Sequence, residues 1–259
     1  MAMYDNENTV KKSFGEMTLP EYQIQARWAE FIELKKVIVE MAKQKNAPIR
    51  MLDIGIGNAR IAAHLSGITE LWDLIETYHG TDNAMACVDL SNEVVNEMNI
   101  ADKVKVFFKD AAELNDWAET YDLIITTWFT AGNFFPDGFS FENYKSDSPR
   151  LDLTHNKKFE KIFQQAYALL NSGGEIVIGC CYIDSDATRK KQEALYNHMN
   201  MHMITDERDS FTATREGFWS QRFTKEKLIS YLHFVEPRNI QTTALDTYDF
   251  AMQVRIRKD

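Results

Sequence analysis

Short apolar segments alternate with amphipathic ones from residue 49 to residue 182, and this alternation constrains the fold more than any other feature. The apolar segments predict strands over residues 49–56, 85–90, 104–108, 121–128 and 175–182, with helices between them. Strands this apolar are typical of a parallel sheet that helices cover on both faces. The chain is therefore predicted to be an α/β protein.

The C-terminal part breaks this rhythm. Helices are predicted over residues 187–199 and 225–232, the second opened by Thr224, and two β-patterned segments follow at 239–247 and 250–257. The turn between those segments is too short for a crossover helix, so they are expected to pair antiparallel. The prediction is a seven-stranded sheet that is mostly parallel and ends in an antiparallel hairpin.

Two further segments have helical patterns. Residues 4–45 repeat apolar side chains at spacings near 3.6, with Pro20 as a break, which predicts an N-terminal helical segment. The stretch between Gly57 and Asp89 is unusually long for one strand–helix–strand unit, so an inserted or extended helix is expected over residues 69–83.

Charge and cysteine content exclude several classes of partner. The 259 residues carry 29 Lys and Arg against 39 Asp and Glu, a formal charge of −10, which disfavours binding to nucleic acid. No apolar run approaches the roughly 20 residues that span a bilayer, and the first residues show no apolar signal-peptide core. The three cysteines are odd in number, which fits a reducing, cytoplasmic setting with no disulfide framework. We expect neither nucleic acid nor membrane as a partner, and no metal.

The loop after the first predicted strand contains the most informative motif. Asp53 is followed by Gly55 and Gly57, and small residues there let a ligand approach the backbone at a helix N-terminus. Arg60 stands where a dinucleotide-binding loop needs a third small residue. Asp53 itself suits a ligand that presents an ammonium group or hydrogen-bond donors rather than a phosphate.

This loop resembles the first motif of class I S-adenosylmethionine-dependent methyltransferases, acidic-x-Gly-x-Gly-x-Gly, with Ala59 in the third glycine position. The resemblance continues in order to residue 182. It implies a Rossmann-like α/β fold, S-adenosyl-L-methionine as cofactor, and cofactor contacts from Asp53, Gly55 and Gly57.

Two later segments resemble further cofactor motifs of that family. Asp89 and Leu90 look like the second motif, whose acidic residue binds the ribose hydroxyls, and a carboxylate at a strand end can accept from both. Asp110 and Ala111 look like the segment that caps the adenine. Thr127, at the end of the fourth predicted strand, is expected to contact the cofactor as well.

The methyl acceptor is expected beyond the fourth strand, because open α/β sheets bind ligands at the strands' carboxyl ends. Gly132 and Asn133 stand there and resemble a pair in small-molecule N-methyltransferases that act on amino acids, in which the Asn touches the substrate. An amide oxygen can accept from an amine and leave its lone pair free to attack. The alternative interpretation, an Asn that holds a turn next to Gly, stays open.

Three segments could wall the acceptor. The aromatic stretch 129–152 includes Phe135 and follows Trp128, the N-terminal helix offers Tyr22 and Arg27, and the stretch 203–223 offers Trp219 and Arg222. Arg27 could also pair with the methionine carboxylate of the cofactor. These assignments divide the chain into a helical lid segment, residues 1–45, and a methyltransferase domain, residues 46–259, with two substrate-covering insertions.

The sequence thus predicts a methyltransferase whose acceptor is an amine nitrogen of a small, amino-acid-like metabolite. O-methylation of a small metabolite and a non-catalytic cofactor-binding adaptor are the alternatives. Cys180 and Cys181 are expected to be buried small hydrophobes rather than nucleophiles. The segment after the fourth strand lacks the Asp/Asn-Pro-Pro-aromatic clamp with which enzymes methylate a flipped base.

Overall fold

A mixed nine-stranded sheet organises the computed structural model, which describes residues 19–144, 151–245 and 250–259. The helices are α1 (Glu21–Lys45), α2 (Arg60–Ser66), α3 (Thr69–Trp72), α4 (Met85–Glu97), α5 (Lys157–Ala168), α6 (Asp186–His198) and α7 (Lys225–Tyr231). The strands are β1 (Ile49–Ile54), β2 (Ile75–Asp82), β3 (Val104–Phe108), β4 (Tyr121–Thr126), β5 (Leu170–Ile183), β6 (Phe211–Ala213), β7 (Trp219–Phe223), β8 (Ile240–Ala244) and β9 (Ala251–Arg257).

The strand order confirms the predicted architecture. Strands β3, β2, β1, β4 and β5 run parallel in that order, β9 joins β5 antiparallel, and β8 joins β9 antiparallel. Alternate residues of β4 pack into the hydrophobic cores on opposite faces of the sheet. Ile124 packs on one face, whereas Leu123 and Ile125 pack on the other. The Rossmann-like sheet with helices on both faces and an antiparallel C-terminal hairpin was therefore predicted from the sequence.

The count of seven strands was too low, because the stretch predicted as an insertion contains the hairpin β6–β7. Tyr182 of β5 pairs with Ala251 on one edge and with Arg222 of β7 on the other. Strand β4 ends where Thr126 pairs with Ile178, so β7 takes over the edge of β5 that β4 leaves free. The sheet thereby continues beyond the carboxyl end of β4.

The second strand was predicted in the wrong place. Residues 85–90 belong to helix α4, and its buried residues Cys87, Val88 and Val95 lie on one helical face. Strand β2 occupies Ile75–Asp82 instead, so the helix expected over 69–83 is reduced to the single turn α3. The sequence of β2 is rich in polar residues, which a search for apolar runs does not find.

The N-terminal helix is confirmed over Glu21–Lys45, and the earlier part of its prediction lies outside the described residues. Its buried side chains, among them Phe31, Leu34 and Ile38, join the core on one face of the sheet. The helix ends at Asn46, which adopts a left-handed conformation with φ 53°. In the described part of the chain, no helix combines the length and apolarity that a membrane span requires.

Candidate functional site

A cavity of about 310 Å³ opens at the carboxyl ends of the parallel strands β1, β2 and β4. Five parts of the chain line it: the start of α1, the glycine loop, the end of β2, the segment after β3, and the segment after β4. The C-terminal end of α6, the turn before β7 and single residues of α4, α5 and β5 also line it.

The glycine loop needs backbone conformations that side chains disfavour. Gly55 and Gly57 have φ values of +74° and +63°, in the left-handed region. A Cβ atom on Gly55 would lie 2.5 Å from Cγ2 of Thr130, so the loop packs directly on the turn that follows β4. Both glycines line the cavity.

Asp82 is the acidic side chain at the end of β2. Its Oδ2 accepts from the backbone N–H of Gly57 at 3.1 Å, and its Oδ1 accepts from the N–H of Ala84 at 3.0 Å. Burial raises the pKa of Asp82, and these backbone donors oppose the rise. The carboxylate lines the cavity and ties the glycine loop to the N-terminus of α4.

The sequence predicted that Asp89, followed by Leu90, is the acidic residue at the end of the second strand, and that prediction was wrong. Both residues lie in the second turn of α4, and neither lines the cavity. Asp89 is exposed, because the face of α4 that packs inward carries Cys87, Val88 and Val95. The mistaken strand prediction is the whole cause of the error.

Asp110 and Ala111 line the cavity where they were expected, after β3. Asp110 caps the 3₁₀ turn Ala111–Asp116, and its Oδ1 accepts from the N–H of Ala112 at 2.8 Å. The cap fixes the direction of the chain there, so the backbone of this segment faces the cavity beside the end of β2.

Strained backbone follows β4. Thr127 lines the cavity, and the next two residues, Trp128 and Phe129, both adopt left-handed conformations, with φ 51° and 63°. Such conformations are costly for side chains this large and persist only when the surroundings impose them. The Phe129 ring stacks on Tyr182 at 3.6 Å.

Glu30 of α1 helps to impose this conformation. It is fully buried, its Oε1 accepts from the N–H of Trp128 at 2.8 Å, and its Oε2 pairs with Arg60 at 2.9 Å. A Cβ atom on Gly179 of β5 would collide with the Glu30 carboxylate. One buried carboxylate therefore joins α1, the glycine-loop helix α2, strand β5 and the segment after β4.

Asn133 lies in the 3₁₀ turn Thr130–Asn133 and lines the cavity. Its Oδ1 is buried and has no hydrogen-bond partner among the described residues. A buried acceptor without a partner is costly, by about 1–3 kcal/mol, unless a ligand or water supplies a donor. The turn is held against β7, because a Cβ atom on Gly132 would lie 3.0 Å from the Gln221 carbonyl oxygen.

Arg27 also lines the cavity. Its guanidinium lies 5.2 Å from the centre of the Trp128 ring, and its buried Nε has no partner in the described part of the chain. Burial, assisted by the charge of Arg60, lowers the pKa of Arg27 to about 10, so the side chain stays cationic at neutral pH. The predicted wall residues Trp128, Phe135 and Trp219 line the cavity too.

Asp53 and Tyr22, which were predicted for the site, do not line the cavity. Asp53 is only 1% exposed behind the glycine loop, where its Oδ2 accepts from the Tyr78 hydroxyl at 2.6 Å. Burial raises the pKa of Asp53 to about 7. Tyr22 packs edge-on against Phe250 at 4.8 Å and donates to the carbonyl of Lys191, so it anchors α1 instead of lining the cavity.

Arg222 was expected to clamp an acidic group of the substrate, and the structure contradicts this. It is fully buried beneath the hairpin, away from the cavity lining. It donates to Gln192 and Thr212 at 2.8 Å each, to Asp184 at 3.2 Å and to the carbonyl of Asp209. These hydrogen bonds hold the hairpin to α6 and β5.

Several lining residues had no place in the sequence prediction: Gln23, Arg60, Asp82, Lys158, Tyr182 and Phe218. Asp82 could have been found, because Gly80-Thr81-Asp82-Asn83 has the composition of a strand end followed by a turn. The others come from distant parts of the chain and carry no local signal. Cys180 and Cys181 are buried in β5, which agrees with their interpretation as small hydrophobes.

Comparison with known proteins identifies the fold. No protein family matches the sequence, and no curated protein matches it either. The solved structures that it resembles are class I methyltransferases. The CcbJ methyltransferase from Streptomyces caelestis is 13% identical, with a TM-score of 0.61 over 100% of this chain and 99% of that chain.

Two further structures agree. An S-adenosylmethionine-dependent methyltransferase from Clostridium acetobutylicum is 11% identical, with a TM-score of 0.59 over 98% of each chain. Magnesium protoporphyrin IX methyltransferase from Synechocystis, solved with bound S-adenosylhomocysteine, is 11% identical, with a TM-score of 0.57 over 96% of this chain and 92% of that chain. The chain has the class I methyltransferase fold.

Proposed function

We propose that this protein is an S-adenosylmethionine-dependent methyltransferase and that its acceptor is an amine nitrogen of a small molecule. One observation carries the proposal: a single cavity joins the glycine loop, the carboxylate of Asp82, the segment of Asp110 and the unpartnered amide oxygen of Asn133. The first three are cofactor-binding elements in the family that the sequence resembles. The fourth lies where an acceptor would meet the methyl group.

The residues present fit the cofactor. Gly55 and Gly57 leave a cradle without side chains, and Asp82 takes the role of accepting from the ribose hydroxyls that had been given to Asp89. Asp110 and Ala111 would border the adenine. The buried Nε of Arg27, which has no partner among the described residues, is a donor suited to the methionine carboxylate. When bound, S-adenosylmethionine supplies an electrophilic methyl group on a sulfonium.

Asn133 would orient the acceptor. Its amide oxygen accepts one N–H of a neutral amine, and the nitrogen lone pair then remains free for in-line attack on the methyl group. An ammonium ion has no lone pair, so the bound amine must be in its neutral form. A neutral amide favours that form better than a carboxylate would, because a carboxylate stabilises the positive charge.

Covering segments would exclude water from this reaction. We infer that α1 acts as a lid, since Gln23 and Arg27 reach the cavity from it. The segments 129–152 and 203–223 meet in an aromatic cluster in which the ring of Phe139 lies 4.7 Å from that of Trp219. A covered, aromatic cavity of this size, in a chain with a charge of −10, favours a small molecule over nucleic acid as acceptor.

Calorimetry with S-adenosylhomocysteine tests the cofactor site. The Asp82→Asn variant should bind about 10- to 100-fold more weakly, because hydrogen bonds from two hydroxyls to a charged acceptor contribute roughly 1.5–3 kcal/mol. Asp89→Asn is the matched control, since Asp89 is exposed on α4 outside the cavity, and it should bind like the wild type. Equal affinities of the two variants would refute the proposed ribose contact.

A turnover assay tests the acceptor site. With a methyl-accepting amine from a metabolite screen, Asn133→Ala should lower turnover by roughly 10²-fold, about 2.7 kcal/mol of positioning, and leave cofactor affinity within a few-fold. Turnover of the wild type should rise with pH until the bound amine is neutral. Asn143→Ala, an exposed neighbour outside the cavity, is the control. Full activity of the Asn133→Ala variant would show that Asn133 only holds the turn.

A further inference from the structure

The indole N–H of Trp219 is a buried donor in the acceptor part of the cavity. Trp219 is 2% exposed, it lines the cavity, and its Nε1 has no hydrogen-bond partner among the described residues. An indole N–H can only donate, so a ligand must bring an acceptor atom to satisfy it. A buried donor left without a partner costs folding free energy, which indicates a binding role for Trp219.

The position of this donor is fixed by its surroundings. Trp219 begins β7 and pairs with Ala213 of β6, and its ring stacks on Phe211 at 4.0 Å with an angle of 21° between the planes. Phe139 packs on it edge-on at 4.7 Å. Because the ring has little freedom to turn away, the N–H group is held ready for a ligand.

Lys158 lies in the same part of the cavity wall. It is half-buried at the start of α5, and its Nζ lies 5.4 Å from the centre of the Phe135 ring. The Phe135 ring in turn lies 6.3 Å from the Trp219 ring. The described residues provide Lys158 with no ion pair, whereas Lys109, another cation of the lining, is paired with Asp116 at 2.7 Å.

Of the four cations that line the cavity, Lys158 alone has neither an ion pair among the described residues nor a cofactor group assigned to it. Arg60 is balanced by buried Glu30, Lys109 by Asp116, and Arg27 is assigned to the cofactor carboxylate by the proposed function. Lys158 therefore remains for the acceptor. We propose that the acceptor carries a carboxylate, which accepts from Trp219 Nε1–H and pairs with Lys158, so the substrate is an amine that also bears a carboxylate.

This inference rests on the proposed function and narrows its substrate class. A single cation and a single neutral donor match the charge and the two oxygens of a carboxylate. The rings of Trp128, Phe135 and Phe218 line the rest of the acceptor space, so the body that joins amine and carboxylate is expected to be flat or apolar.

Binding of matched pairs to the protein saturated with S-adenosylhomocysteine tests the inference by calorimetry. The pairs are L-tryptophan with tryptamine, L-tyrosine with tyramine and L-phenylalanine with phenethylamine, which differ only by the carboxylate. At least one amino acid should bind ten-fold or more tightly than its decarboxylated partner. Trp219→Phe keeps an aromatic ring and removes the N–H, and it should reduce that preference several-fold, as should Lys158→Gln.

Lys157→Gln is the control, because Lys157 is the exposed neighbour of Lys158 outside the cavity, and it should leave the preference unchanged. Retained affinity of each variant for S-adenosylhomocysteine shows that it is folded. Equal binding within every pair, no binding of any amino acid at millimolar concentration, or a preference that survives both substitutions would overturn the carboxylate inference. Failure of the wild type to bind S-adenosylhomocysteine would instead overturn the proposed function.

Discussion

Replacement of Asp53 by Asn should stabilise the protein at neutral and alkaline pH. Asp53 is fully buried, its Oδ2 accepts from the Tyr78 hydroxyl, and its Oδ1 has no partner among the described residues. Burial raises its pKa from 3.8 to about 7, although the Tyr78 hydroxyl and the charge of Arg60 oppose the rise. The folded protein thus holds a carboxylic acid at pH values where the unfolded chain holds a carboxylate.

The sign follows from the protons bound in each state. Below about pH 4 the side chain is protonated in both the folded and the unfolded chain, so its contribution to stability is fully present. Between about pH 4 and 7 only the folded state keeps the proton, and stability falls as pH rises. The loss amounts to about 4 kcal/mol for a shift of this size, and it stays constant above pH 7 because both states are then ionised.

An Asn side chain has a similar shape and does not titrate. The wild type and Asp53→Asn should be unfolded with urea at several pH values. The free energy of unfolding of the variant, minus that of the wild type, should increase by about 4 kcal/mol between pH 4 and 8. Taking the difference between the two proteins removes the other titrating groups that they share. Asp102→Asn, at an exposed position, should show no such trend. A flat difference curve for Asp53→Asn would refute the reasoning.

Two further predictions concern α1. Glu30→Ala should lower the free energy of unfolding in urea by about 3–5 kcal/mol, because it leaves Arg60 without its buried partner and the Trp128 N–H without an acceptor. A decrease of less than 1 kcal/mol would contradict the role given to Glu30. Hydrogen exchange of residues 19–28 should slow when S-adenosylhomocysteine binds, since Gln23 and Arg27 line the cavity, whereas exchange in α7 should not change; equal effects in both segments would argue against a lid.

Apolar runs located several strands from the sequence. Strands β1, β4 and β5 each contain a short run of buried apolar residues, and the short link before β9 left only an antiparallel hairpin possible. The glycine loop and Asn133 followed, because their positions depend only on where β1 and β4 end. Those parts of the fold and site are set by local pattern.

Strand β2 was missed because three of its buried residues, Tyr78, His79 and Thr81, carry polar groups. Tyr78 donates to Asp53 of β1, and His79 lies 2.7 Å from the Tyr121 hydroxyl of β4. A hydropathy pattern cannot reveal such pairs, because it predicts that each polar residue is exposed to solvent. The error displaced the predicted ribose contact from Asp82 to Asp89.

The hairpin β6–β7 was missed for the same reason. Strand β7 has the sequence Trp-Ser-Gln-Arg-Phe, and all five residues are buried. Arg222 is tolerated there because Gln192, Thr212 and Asp184 accept from its guanidinium. In the sequence alone, Arg222 is equally compatible with a role in binding a ligand. Only the folded structure shows that its guanidinium already donates to other residues of the protein.

The place of β9 in the sheet has a consequence for biogenesis. Residues 251–257 form an interior strand between β5 and β8, so the edges of β5 and β8 that pair with it stay open until β9 has been synthesised. A nascent or truncated chain that ends before residue 251 would present the long apolar edge of β5 to other molecules. Newly made copies should therefore need protection from aggregation until β9 has paired with β5, and a tag that hinders residues 251–257 should reduce the yield of folded protein.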